Sequence, residues 1–114
     1  MNDAKFPTKE INAEIERWQV RLGLQDWSVT WYIGGQNSAS VTEQCAARIY
    51  YRVKGRAANI EFSPFYFKGW RSSLKHEMLH LLLVDLADMA EKTDADMSQR
   101  LEHMIIRKLE RLIK

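Results

Sequence analysis

The apolar positions of this chain change their period several times, and each change marks an element. Ile11, Ile15, Trp18 and Leu22 recur at helical spacing, after Pro7 and a Thr8 placed to cap the first turn, and before Gly23, a helix stop. They predict an amphipathic helix whose stripe packs on a sheet. The period then shortens to two. Trp27, Val29, Trp31 and Ile33 alternate with Ser28, Thr30 and Tyr32 as far as the Gly34-Gly35 break, a half-buried strand with its tryptophans on the core face. Cys45, Ala47, Ile49, Tyr51 and Val53 alternate in the same way with Ala46, Arg48, Tyr50, Arg52 and Lys54, which gives a second strand. A third follows with Ala58, Ile60 and Phe62 on one face. The short Lys54-Gly55-Arg56 link predicts that these last two strands form an antiparallel hairpin.

Ser63-Pro64 ends the third strand, and beyond "FYFKGW" the period returns to that of a helix over Leu74 to Ala90, with Ser72 or Ser73 as its expected N-cap. The stretch "MSQRLEHMIIRKLERLI" reads as one more helix. The order of elements predicts an α+β fold with an N-terminal helix, a three-stranded, mainly antiparallel sheet, and two further helices. No repeat, low-complexity tract or Pro/Gly-rich linker divides the chain, so residues 1–114 are expected to form one domain. At 114 residues, 46% of them hydrophobic, the chain is long enough to bury a single core.

Charge narrows the partners only slightly. Seventeen basic residues against 15 acidic ones leave a formal +2, which supports neither nucleic acid nor a membrane surface as the main partner. Arg48, Arg52, Lys54 and Arg56 are expected to form an ordinary solvated face. Cys45 is the single cysteine, so no internal disulfide can form, and its place in an alternating strand predicts buried filler. Met1 to Pro7 has no signal-peptide pattern and no apolar run is long enough to span a bilayer, which predicts a cytoplasmic protein.

The chemistry concentrates in "LKHEMLHLLLVDL", Leu74 to Leu86. A four-residue step advances an α-helix by about 400°, so His76 and His80 project side by side and can both bind one metal ion. Glu77 flanks the pair. This is the HExxH arrangement, in which two neutral imidazoles hold Zn²⁺ and the glutamate takes a proton from the water that the metal acidifies. A bare HExxH string also arises by chance. Here Met78, Leu79, Leu81, Leu82, Leu83, Val84 and Leu86 make the helix apolar on nearly every side and predict its burial, and two histidines and a glutamate buried without partners would cost several kcal/mol. A zinc ion satisfies all three.

A catalytic zinc takes three protein ligands, so one more must come from elsewhere. The extended pattern with another histidine soon after the motif is absent, because the next histidine is His103. The last helix offers Glu102 and His103. With Ile105 as the reference direction, Leu101, Leu109 and Leu112 fall within about 40°, Glu102 at about 60° and His103 at about 160°. Glu102 is therefore the expected ligand, with His103 the main rival and Asp94 and Asp96 distant ones.

In its order of elements, and in "HEMLH" and more loosely "LEHMIIRKL", the chain resembles the small single-domain gluzincin-type zinc metallopeptidases, including SprT-like domains and compact phage or prophage metallopeptidases. The resemblance implies a minimal zincin-like fold acting as a hydrolase on a protein or peptide substrate. Carried over residue by residue, it makes His76, His80 and Glu102 zinc ligands and Glu77 the general base. It also implies that a sheet-edge strand beside the active helix holds an extended peptide by backbone pairing, with Ala57 to Phe62 the first choice for that strand. An oxyanion donor is implied too, and Tyr50, Tyr66, His103 and Arg107 remain equal candidates. The other reading is a zinc-stabilised, non-catalytic binding module of a phage or mobile element, conceivably DNA-associated.

Overall fold

The protein is described by a computed structural model over residues 6–35, 46–92 and 98–113, except for the side chains of Tyr66 and of residues 90–92, 98–102 and 111–113. Helix α1 spans Thr8–Leu22, strands β1, β2 and β3 span Ser28–Ile33, Ala47–Arg52 and Ala57–Phe62, and helices α2 and α3 span Trp70–Lys92 and Ser98–Ile113. A 3-10 helix, Pro64–Gly69, leads directly into α2. Cys45 lies outside the described residues.

Local signals set most of these boundaries. Gly23 adopts φ 69°, and the N–H groups of Gly23 and Leu24 close on the carbonyls of Val20 (3.3 Å) and Gln19 (2.7 Å), so α1 ends in a Schellman motif that satisfies its last carbonyls. The start differs from expectation. Pro7 occupies the cap position, Thr8 is already helical, and no side chain caps the turn. Helix α2 also starts earlier than Ser72 or Ser73 suggested, because the 3-10 helix runs into it at Trp70. Ser63 caps that shorter helix instead, its hydroxyl accepting from the Phe65 N–H at 3.2 Å, with Pro64 next in line.

The sheet has the order β1-β3-β2. Strands β2 and β3 form the expected antiparallel hairpin, with Ala47 opposite Phe62 and Arg52 opposite Ala57. Strands β1 and β3 are parallel, with Ser28 beside Ala57 and Ile33 beside Phe62, so the sheet is mixed rather than mainly antiparallel. Alternation tells which face a strand buries but carries no information about its direction. Strand β3 lies between the two strands that precede it in sequence, so the hairpin inserts its second strand beside β1. Strand β3 is thus the centre of the sheet and not an edge, and β1 and β2 are the two edges.

One face of the sheet carries the core. Ala58, Ile60 and Phe62 from β3 meet Ile11, Ile15, Trp18 and Leu22 of α1 and Leu74, Met78, Leu81 and Leu82 of α2, with Phe6 and Trp27 closing the cluster. Each fully buried Leu or Ile contributes about 1.5–3 kcal/mol relative to exposure. A polar knot sits beside this cluster. Asp85 of α2 accepts from the Trp27 indole N–H at 3.1 Å and from Lys108 Nζ of α3 at 2.8 Å, and it pairs with Arg56 in the β2–β3 turn. Arg56 also reaches Asp26 at 2.6 Å and Asp88 at 3.5 Å and lies over the Trp27 ring, so it does not belong to the solvated basic face. Helix α3 is turned relative to its apolar stripe: Lys108 is buried while Leu109 is 46% exposed. Among the described residues no helix is long and apolar enough to cross a membrane.

Candidate metal centre

His76, Glu77 and His80 face a cleft of about 360 Å³ between α2 and the edge strand β2, lined also by Ala47, Arg48, Ile49, Tyr51 and Val84. One helical turn brings the two imidazoles together as the spacing predicts. Their Nε2 atoms are 3.0 Å apart, with ring centroids at 4.6 Å and planes at 79°. Two nitrogens bound to one tetrahedral zinc at its usual bond length would stand about 3.3 Å apart, so the donor pair fits the ion with a shift of a few tenths of an ångström. The same pair can instead share a proton, one ring donating to the other.

Burial divides the motif in an unexpected way. Glu77 is 6% exposed, whereas both histidines are exposed to the cleft, and Leu83 on the same helix is 62% exposed. The helix is apolar on nearly every side but is covered on only part of its circumference. The cost of burying polar groups therefore applies to Glu77 and not to the imidazoles. Burial pushes the Glu77 carboxyl above its ordinary value; the charges of His76, His80 and Arg48 and a hydrogen bond from the Ile49 N–H oppose that rise without cancelling it. A carboxyl held in this way is a better proton acceptor than one in water.

Ile49 gives β2 its place in the site. Its N–H points to Glu77 and away from β3. Main-chain groups alternate between the two edges of a strand, so Tyr51 presents its own on the same outer edge. Strand β2 is therefore the edge beside the motif, in place of Ala57 to Phe62.

The remaining candidates scatter. The Glu102 backbone lies in α3, but its side chain is outside the described residues, as are Asp94, Asp96 and the Tyr66 side chain. His103 and Arg107 are exposed on α3. Tyr50 sits on the far face of the sheet, where its hydroxyl donates to Glu61 Oε1 at 3.1 Å. Among the described residues no third His, Cys, Asp or Glu joins the histidine pair in a metal-binding group. Sequence reasoning missed Arg48 and Tyr51 as cleft residues. The usable signal was the last position of the β2 apolar face, where a tyrosine replaces an aliphatic residue.

No protein-family model matches the chain, and no match was found among curated proteins or solved structures. The fold and the site define a small α+β protein with three helices and a mixed three-stranded sheet, carrying a histidine pair and a buried glutamate in one cleft.

Proposed function

We propose that this chain is a zinc-dependent metallopeptidase that hydrolyses peptide bonds, with His76 and His80 as two zinc ligands, Glu102 as the third and Glu77 as general base. The observation that carries the proposal is the approach of the two Nε2 atoms to 3.0 Å beside a buried glutamate in a cleft walled by an edge strand. Zinc, when bound, supplies Lewis acidity that polarises the scissile carbonyl and lowers the pKa of water.

The chain's own residues supply the rest. Glu77 receives a proton from the attacking water and returns it to the departing amine, a role suited to a carboxyl whose basicity is raised by burial. A hydrogen bond from the Ile49 N–H helps to orient the Glu77 carboxylate. The outer edge of β2 is placed to align an extended peptide past Glu77 by main-chain pairing.

Elemental analysis and a matched variant test this. The purified protein should carry about one zinc per chain. Glu77→Gln should keep zinc and fold while losing about 10²–10⁴-fold in turnover of a cleavable peptide. Protein that takes up no zinc from a metal-replete medium, or Glu77→Gln with undiminished turnover, overturns the assignment; a zinc-loaded protein that cleaves nothing is the binding module instead.

A further inference from the structure

The four basic residues along β2 and its turn do not share one environment. Arg56 turns inward to Asp26, Asp85 and Asp88. Arg52 borders a hollow on the open face of the sheet, with Tyr50 and Asn59. Arg48 lines the cleft that holds His76, Glu77 and His80. Strand alternation alone would send it to the opposite face. Because β2 is an edge strand, a long side chain can fold over the free edge while its head stays in water.

Arg48 is exposed and forms no ion pair with a carboxylate among the described residues, yet its charge is felt at Glu77. Among the described residues that line the cleft it is the one permanent cation, as Glu77 is the one carboxylate. If Glu77 is committed to proton transfer, Arg48 is the group left to meet an anion brought in by the substrate. It directly precedes Ile49, whose N–H meets Glu77, and an extended peptide advances about 3.4 Å per residue. A substrate carboxylate within one or two residues of the bond facing Glu77 therefore comes within reach of the guanidinium. Ala47, Ile49 and Val84 offer apolar contacts to its neighbours.

We propose that Arg48 is a specificity-determining residue that selects peptides with a carboxylate beside the scissile bond, supplied either by an Asp or Glu side chain or by a free C-terminus. The proposal rests on the peptidase reading for its substrate class, and its test separates the two.

Labelled extended peptides with Glu, Gln or Lys at each position, and with either amidated or free C-termini, are titrated by fluorescence anisotropy into zinc-loaded Glu77→Gln protein. The same measurement is made with Arg48→Gln or Arg48→Glu added, after circular dichroism shows each variant folded. Acidic peptides should bind about tenfold more tightly than their Lys counterparts, and the preference should shrink with salt. Arg48→Gln should abolish the preference and Arg48→Glu should reverse it. The comparison of amidated with free C-termini shows which carboxylate is read. An order of affinities unchanged in Arg48→Glu, or no peptide binding by folded zinc-loaded protein, overturns the proposal. Charge-ordered binding that follows Arg48, with no cleavage by the unsubstituted protein, supports it and removes the peptidase reading. Cleavage that ignores residue 48 removes Arg48 alone.

Discussion

Asp85 is 2% exposed and still ionised, because Trp27 just before β1, Arg56 in the β2–β3 turn and Lys108 of α3 converge on it. Burial alone would push its carboxyl up. The hydrogen bonds from Lys108 and Trp27, the Lys108 charge and the Arg56 contact outweigh burial and hold it below the ordinary aspartate value. The folded state therefore takes up this proton less readily than the unfolded chain. The contribution to stability is complete above the ordinary carboxylate pKa of about 4 and is lost as pH falls through the depressed folded value. Urea titrations of the unsubstituted protein should show stability falling below that pH. Asp85→Asn should cost about 3 kcal/mol at neutral pH by leaving the buried Lys108 without its carboxylate and Arg56 with only Asp26 and Asp88, and should flatten the acid limb. An Asp85→Asn chain with the original acid limb would place the titration elsewhere. At this scale the sequence showed what depends on local spacing: His76 and His80 meet because a four-residue step is nearly one turn. Asp85 looked like one polar residue in an apolar run, because its partners lie 58, 29 and 23 positions away.

The elements were legible where a period and its punctuation agree. Gly23 ended α1 as read, and the β2–β3 hairpin formed across Lys54-Gly55-Arg56. The parallel pairing of β1 with β3 was not legible, since alternation of residues shows which face a strand buries and not its direction or its neighbours. That single difference moved the edge beside the motif from β3 to β2 and brought Arg48 and Tyr51 into the cleft. In α3 His103 is exposed as its phase predicts, whereas Leu109 is not buried. Beside it Lys108, which the apolar pattern would leave in water, is buried against the carboxylate of Asp85, a partner 23 positions away that periodicity does not show. The third zinc ligand is a question about this helix. If Glu102 completes the site, Glu102→Ala should weaken zinc binding about 10–100-fold in a competition assay with a chromophoric chelator, while His103→Ala leaves it within about twofold. The opposite order assigns the ligand to His103.

Across the whole molecule the candidate centre and the source of stability are separate. Among the described residues fifteen buried apolar ones, drawn from α1, α2, β3 and the segments flanking them, form one cluster, and neither histidine belongs to it. Glu77 is buried but supported by the Ile49 N–H, so the cleft has a shape before any ion arrives. This differs from small zinc domains, whose cores are too thin to hold without metal. The apo protein should therefore be folded, with a cooperative thermal transition and the near-ultraviolet signature of its packed tryptophans. Zinc should then act by mass action on a folded receptor. At a free concentration one hundred times its dissociation constant it should stabilise the native state by about 2.7 kcal/mol. For a chain of this length that corresponds to a rise in Tm of about 10 °C, which EDTA should reverse without unfolding the protein at 25 °C. His76→Ala should remove the rise while leaving the apo Tm nearly unchanged, because the exposed ring contributes little to packing. An apo chain that melts without cooperativity would mean that the metal builds the fold, and a Tm indifferent to zinc would mean that the two imidazoles meet only each other.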